Sequence, residues 1–367
     1  MEENNTTKAQ EKFACPACGG EAHWNPGKQA LVCAYCGTEA PGELDEASGE
    51  IRENDLVTAL RNLGDEARGW KSDRVSVKCQ SCDAISSFAA ETSAKQCEFC
   101  GSSQILSYEQ RKAPISPESL LPFDVTESNV REEMRQWYGS RWFAPNKLKK
   151  GAMTDTVKGV YIPYWTFDAQ SHADWTAQSG YYYYVTESYR DSEGKTRTRQ
   201  VRKIRWQNSS GDLDHFFDDE LVAGTKGVDP KLLTSVEPFP TGKLVPYDPG
   251  YVSGWLVEQY QIDLIAAAQH SKDRMESKLK SMCAGQVPGD THRFLRVQSR
   301  FWDQTFKHIL VPVWLLSYRY GKNTYQVVVN GVTGEIAGRY PKSFWKIFFL
   351  VISILLLVGV IALVSQS

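Results

Sequence analysis

Eight of the nine cysteines in this chain fall into four Cys-x-x-Cys pairs, and the pairs form two sets with one spacing. Cys15-Pro-Ala-Cys18 is followed after fourteen residues by Cys33-Ala-Tyr-Cys36-Gly37. Cys79-Gln-Ser-Cys82 is followed after fourteen by Cys97-Glu-Phe-Cys100-Gly101, an internal repeat at an offset of 64 residues. Two thiolates separated by two residues sit on one tight knuckle, and two knuckles joined by a hairpin fill the tetrahedral shell of Zn²⁺. Glycine after the last ligand permits the unusual backbone angles of the knuckle exit. The spacing therefore predicts two zinc ribbons, at 13–40 and 71–107, with Cys15, Cys18, Cys33, Cys36, Cys79, Cys82, Cys97 and Cys100 as ligands.

Four sulfurs leave no open coordination position, so both sites are expected to be structural rather than catalytic. Rubredoxin-like iron and a redox dithiol are the competing chemistries for such pairs. His23 lies inside the first ribbon but outside a shell already filled. Disulfides are the weaker reading, because a chain of 367 residues does not need staples and residues 1–12 form a polar tail without the apolar core of a signal peptide. Charge then bears on what a ribbon would bind. The first carries Lys28 against Glu21 and Glu39; the second carries Arg74, Lys78 and Lys95 against Asp73, Asp83, Glu91 and Glu98. Neither has the basic footprint that phosphate contacts demand, which favours a protein partner over nucleic acid.

The C-terminal end sets a second expectation. From Ile347 to Val364 no residue is charged, and extending back to Phe344 gives a run of about 31 Å at helical rise, the span of a bilayer core. Trp345 stands where an interfacial aromatic belongs, and Lys346 is placed to snorkel. Arg339, Lys342 and Lys346 precede the run and no charge follows it. The expectation is a single transmembrane helix over 344–364 in a bacterial inner membrane, with the N-terminal domains cytoplasmic. Zinc thiolates call for that same reducing side.

Between ribbons and C-terminus, an aromatic content of 12% points to a strand-rich body. Residues 41–70 read as a linker with a short helix, in which Leu56, Leu60 and Leu63 repeat helically, Asn54 is placed to cap and Gly64 to stop. A second linker covers 108–119. Beyond it Pro122-Phe-Asp124 is matched by Pro246-Tyr-Asp248, and Lys158-Gly-Val-Tyr-Ile-Pro163-Tyr-Trp165 by Lys307-His-Ile-Leu-Val-Pro312-Val-Trp314. That duplication predicts two α+β modules, 120–225 and 226–343, each a helix followed by an antiparallel meander. The expected strands are 159–170, 172–190 and 195–207 in the first module, with a turn at 191–194. The second should hold an amphipathic helix over about 252–283 and strands at 308–320, 324–330 and 335–339. Asn330-Gly331 should open a hairpin turn, in a stretch that resembles the hairpin of PepSY-like domains. The fold class expected is α+β: two N-terminal zinc ribbons, a duplicated antiparallel body and one C-terminal transmembrane helix.

Chemistry beyond the metal sites is sparse. No P-loop, H-E-x-x-H, G-x-S-x-G or dinucleotide fingerprint is present, and no catalytic constellation stands out. His215 with Asp218, Asp219 and Glu220 reads as a polar turn, and Cys283 as a small residue at a helix end. On the strand from Lys195 to Arg205, the residues Lys195, Arg197, Arg199, Lys203 and Arg205 would share one face. That face is either a solvated edge or a contact for anionic headgroups or an acidic partner.

The pattern Cys-Pro-x-Cys-Gly … Cys-x-Tyr-Cys-Gly, followed by Tyr161-Ile-Pro-Tyr-Trp-Thr-Phe-Asp168 and a terminal apolar run, resembles a bacterial family of membrane proteins described as TFIIB-type zinc-ribbon proteins. Some of these are labelled primosomal protein N′ (replication factor Y), superfamily II helicase. Helicase motor motifs are lacking here, so that activity does not carry over. The resemblance implies partners of SPFH (flotillin-like) or phage-shock type and a role in envelope stress or membrane organisation. The function expected is a non-enzymatic adaptor that recruits a protein to the inner membrane. The alternative is a membrane-tethered nucleic-acid-binding protein related to replication restart.

Overall fold

The computed structural model describes residues 15–39, 51–61, 75–88, 96–108, 115–146, 157–190, 192, 194–320 and 323–364. The expected tail at 1–12, Leu63 and Gly64 of the linker helix, and positions 191 and 193 of the 191–194 turn lie outside them. A hairpin of β1 (Ala22–Asn25) and β2 (Ala30–Cys33) joins the first pair of knuckles. β3 (Asn54–Asp55) leads into helix α1 (Leu56–Arg61), which is capped by Asp55 rather than Asn54: the Asp55 carboxylate accepts from the Thr58 N–H at 2.7 Å. β4 (Val75–Cys79), β5 (Ile85–Phe88) and β6 (Ile105–Ser107) carry the second cysteine set. β7 (Ser119–Leu120) and helix α2 (Glu127–Ser140) precede two very long strands, β8 (Lys158–Arg190) and β9 (Thr196–Ala223). Then follow α3 (Pro230–Val236), β10 (Val245–Pro246), β11 (Leu256–Gln259), α4 (Leu264–Gln286), β12 (Thr291–Tyr320), β13 (Asn323–Asn330), β14 (Ile336–Gly338) and α5 (Phe344–Val364).

Strand β8 passes through three environments along its length. Val160 to Ala169 is buried on both faces, which suits its nearly continuous apolar run. From Ser171 to Ser179 only the odd positions are buried, the alternation of a strand with one covered face. Past Gly180 both faces reach solvent, and Tyr183 and Tyr184 are exposed. Helix α4 supplies the cover for the middle section. Leu264, Ala267, Ser271, Met275, Leu279 and Cys283 form its buried stripe, and they pack with Ala169, Ala173, Trp175, Ala177 and Phe217. The three alanines let the helix approach the sheet closely. The helix begins at Leu264 and not near 252, because residues 256–259 are taken into the sheet as β11.

The two expected modules are one sheet. β8 and β12 pair antiparallel from Lys158↔Leu315 to Gly180↔Thr291, so Pro163 faces Leu310 and Pro312 faces Tyr161. The duplicated segments thus meet about a pseudo-twofold axis, and each copy borrows a short strand from the other. β7 pairs parallel with β12 (Leu120↔Leu310), and β11 pairs parallel with β8 (Val257↔Tyr161). Strands β5, β4 and β6 of the second ribbon extend that sheet beyond β11, which gives twelve strands with β3, β9, β13 and β14. The molecule is therefore mostly β-sheet, and the α+β class with separate meanders is corrected. The expected strands 159–170 and 172–190 are a single strand, and the return strand runs on to Ala223, through the segment 215–220 that was expected to be a turn.

The anchor is corrected as well. The apolar C-terminal run is helical, yet among the described residues no helix is long and apolar enough to cross a membrane. Two of the charges expected to orient a span are engaged with the protein. Arg339 pairs with Asp229 at 2.5 Å, and the Lys346 ammonium donates to the carbonyls of Trp142 and Ala144 and to Asn146 at 2.8–2.9 Å. The single-pass topology and the inner-membrane placement that rested on it are withdrawn.

Where β3 crosses β12, the Glu118 carboxylate accepts from the His308 N–H and from the Asn54 amide, each at 2.7 Å. Burial pushes Glu118 up from 4.5 to about 7. The unfolded chain then ionises at lower pH than the folded one, so this group costs stability as pH rises from about 4.5 to about 7. His308, fully buried and lowered by burial to about 4, has the opposite slope between there and 6.5. The difference between Glu118→Gln and the parent isolates the carboxyl. The variant is expected to gain stability relative to the parent as pH climbs through that window, read as urea midpoints; parallel profiles would show that Glu118 titrates normally.

Candidate metal centres

Each cysteine set closes into a compact group of sulfurs. In the first, Cys15 Sγ lies 3.5 Å from Cys36 Sγ and Cys18 Sγ 3.5 Å from Cys33 Sγ. In the second, Cys79–Cys100 and Cys82–Cys97 are each 3.6 Å. Within each group all four sulfurs lie within 4.8 Å of one another. A tetrahedron with metal–sulfur bonds of about 2.3 Å has edges of about 3.8 Å, so the groups fit a four-coordinate ion. All eight thiols are free, and the separations far exceed a bonded ~2.05 Å S–S distance. Gly37 and Gly101 leave their knuckles at φ of 71° and 69°, the left-handed region for which glycine was expected.

The thiols titrate as coupled clusters. Cys36 Sγ is hydrogen-bonded to Thr38 Oγ1 at 3.1 Å, and that contact, with the Thr38 N–H, holds the thiol down to about 6. Although the Gly20 N–H lowers Cys18, the thiols of Cys36 and Cys33 push it up to about 12. In the second group the Cys82 thiol holds Cys97 down to about 5, and Cys82 is driven far up in return. Four sulfurs at these distances cannot all ionise alone; a bound cation removes that conflict. Glu258 lies against the second group, where its carboxyl oxygen crowds Gly227, the glycine beneath Phe99. Burial pushes Glu258 up to about 8.

The repeat is broken in its surroundings. Tyr35 and Phe99 hold the same place in the two sets, yet Tyr35 is 82% exposed and Phe99 fully buried. The Phe99 carbonyl accepts from Ser317 Oγ and from Gln326 Nε2, Glu98 pairs with Lys158, and β5 pairs with β11. The second centre is thereby built into the main sheet. The first forms its own two-stranded sheet and docks through its back. Trp24 lies 4.6 Å from the Tyr251 ring and donates to the Phe123 carbonyl, and Ser253 Oγ donates to the Ala22 carbonyl at 2.9 Å. Its knuckle side stays open: Cys18, Cys36 and Tyr35 are exposed. His23 lies on β1 against Gly254, outside the sulfur group.

Other sequence candidates resolve as follows. Cys283 is fully buried under the sheet, and burial raises its thiol. Asp168, Asp218 and Asp219 come together at a bulge between β8 and β9, a constellation the sequence did not suggest. Its cation is Lys307, whose ammonium sits 2.9 Å from Asp219, 3.8 Å from Asp168 and 3.1 Å from Glu53. Burial disfavours that charge, but the Asp219 bond and the Asp168 carboxylate raise Lys307 above its ordinary value. Glu220 instead ties α4 to the sheet through Arg274 and Lys278. Arg197, Arg199, Lys203 and Arg205 share one face of β9 as expected, opposite Tyr189, Glu187, Tyr183 and Tyr181 of β8, with Lys195 just before the strand. Glu187 pairs with Lys203 at 3.0 Å and with Arg199 at 3.7 Å.

Fold and sites define a β-sheet protein carrying two four-cysteine groups that can each hold a metal ion. The chain is 24% identical over 345 residues to the uncharacterized protein YdjG of Bacillus subtilis (strain 168), a likeness that covers 91% of each chain. No protein-family model matches, and no solved structure matches.

The asymmetry makes a clear prediction. Phe99→Ala is expected to destabilise the fold by about 3–5 kcal/mol through loss of a buried aromatic, whereas Tyr35→Ala should change it by no more than about 0.5 kcal/mol. Denaturant melts of the metal-loaded protein distinguish them, and equal costs would show that the two centres are equally integrated.

Proposed function

We propose that the chain is a non-enzymatic adaptor of the TFIIB-type zinc-ribbon kind, with Zn²⁺ in both four-cysteine groups. The second ribbon is built into one end of the sheet, and the first presents its open knuckle to a protein partner. The exposure of Tyr35, at a repeat position where Phe99 is buried, is the observation that carries this reading. An exposed aromatic on a rigid metal knuckle offers contact area at little entropic cost, the property of an interface anchor. Closed four-sulfur shells leave no position for substrate or water. Charge supports a protein over a phosphate backbone, since Lys28 of the first ribbon is already paired with Glu39 at 2.9 Å. The resemblance to TFIIB-type zinc-ribbon proteins implies an SPFH- or phage-shock-type protein as the partner class.

Complexes recovered from the native cell with the parent, Tyr35→Ala and Cys15→Ser test this, alongside metal content. Two zinc ions per parent chain are expected. Tyr35→Ala should keep both and lose the partner, and Cys15→Ser should lose one ion and the partner together. A Tyr35→Ala protein that retains the same partner at the same yield would sink the reading.

A further inference from the structure

Strand β9 has neighbours on one side only. Among the described residues it pairs with β8 and with nothing else, so its far edge presents unpaired backbone groups along most of a 28-residue strand. Open edges of that length are normally blunted against pairing with other chains. At one end the edge is closed: Arg274 of α4 donates to the Leu221 carbonyl at 2.6 Å. From Thr196 to Asp218 no such cover is present among the described residues.

Charge along that edge is segregated by sign. Lys195 to Trp206 holds six Lys or Arg and no acid, and Gln207 to Glu220 holds five Asp or Glu and no Lys or Arg. Between the halves lies the uncharged stretch Gln207-Asn-Ser-Ser210. A single-sign edge repels its own copy, but this one does not. We propose that β9 is a self-pairing edge, through which two copies of the chain join antiparallel about a twofold axis near Asn208.

The geometry of that pairing is constrained. A twofold axis perpendicular to a sheet keeps each residue on its own face, so a residue can lie opposite only residues of the same parity. With Asn208 opposite Asn208, Arg202 faces Asp214 and lies diagonal to Asp212. Opposite-charge cross-strand pairs stabilise a ladder and like charges oppose it. Parallel association would set base on base and acid on acid along the whole edge. The bonds that Arg199 and Lys203 make to Glu187 lie toward β8, and both side chains keep half or so of their surface open on the other side. Each copy uses the edge once, so the twofold closes the assembly at two and avoids an open-ended sheet. The surface is distinct from the Tyr35 knuckle and stands whether or not that knuckle recruits a partner.

Two charge-reversed full-length proteins test it by sedimentation equilibrium, each checked for metal content and circular dichroism. The first carries Arg199→Glu, Arg202→Glu and Lys203→Glu; the second carries Asp212→Lys, Asp214→Lys and Asp218→Lys. The parent is expected to dimerise, with an affinity that drops about tenfold or more when salt rises from roughly 0.05 to 0.5 M. Each variant alone should be monomeric, because the facing positions 202 and 214 then carry like charge, acid on acid in the first and base on base in the second. A one-to-one mixture of the two should form a heterodimer. A monomeric parent at low salt overturns the proposal, as do variants that each dimerise like the parent, or folded variants that fail to associate when mixed. Binding of a labelled DNA duplex by a monomeric parent, lost in the first variant, would also overturn it and assign the basic half to nucleic acid instead.

Discussion

The antiparallel ladder between β8 and β12 is the interaction on which the rest of this structure depends. It aligns the two duplicated segments over more than twenty residues and leaves their proline- and tryptophan-rich starts buried at the centre of the sheet. Every other unit is attached to it. β9 lines one side of β8, β11 carries the second metal group to the root of β8, β7 and β13 close over β12, and α4 covers the half-buried middle. Remove the ladder and neither α4 nor the second cysteine set has a surface to rest on.

That frame explains why two copies of one cysteine motif serve different ends. Coordination geometry is the same in both, since it is set by spacing and sulfur chemistry. What differs is the surface each knuckle meets. The second meets Ser317, Gln326 and Gly227 and loses its aromatic to the interior; the first is held from behind by Trp24 and Tyr251, and its aromatic stays outside. Duplication followed by one copy becoming part of the scaffold leaves the other free to act as a contact.

Much of the metal chemistry is legible in the sequence. Cysteine spacing is local, and a closed four-thiolate shell needs little beyond a hairpin. Asn330-Gly331 and the helix after Pro122-Phe-Asp124 were legible for the same reason. The body was not. Periodicity showed strands where they are, but a run such as 158–190 contains breaks in pattern that read as strand ends, when they mark the places where one strand passes from a doubly covered to a singly covered and then to an open environment. Helix α4 starts later than its pattern implies because residues 256–259, Leu-Val-Glu-Gln, satisfy helix and strand alike, and only pairing with β5 and β8 decides between them. The apolar C-terminus suggested an anchor by composition alone, whereas the described helix does not meet the length and apolarity of a span, and Arg339 and Lys346 are engaged by the body.

The sequence by itself determined the ligand sets, the internal repeats and the segregation of charge along β9, because each is a matter of residue type and spacing within a short stretch. Only the tertiary structure decided that the repeats share one sheet, that Lys307 serves as the cation of the Asp168 and Asp219 carboxylates, and that Tyr35 faces solvent while Phe99 does not. Those outcomes depend on which segments meet across more than a hundred residues of chain. No local pattern encodes that choice; it follows from how the apolar strand roots can all be buried at once.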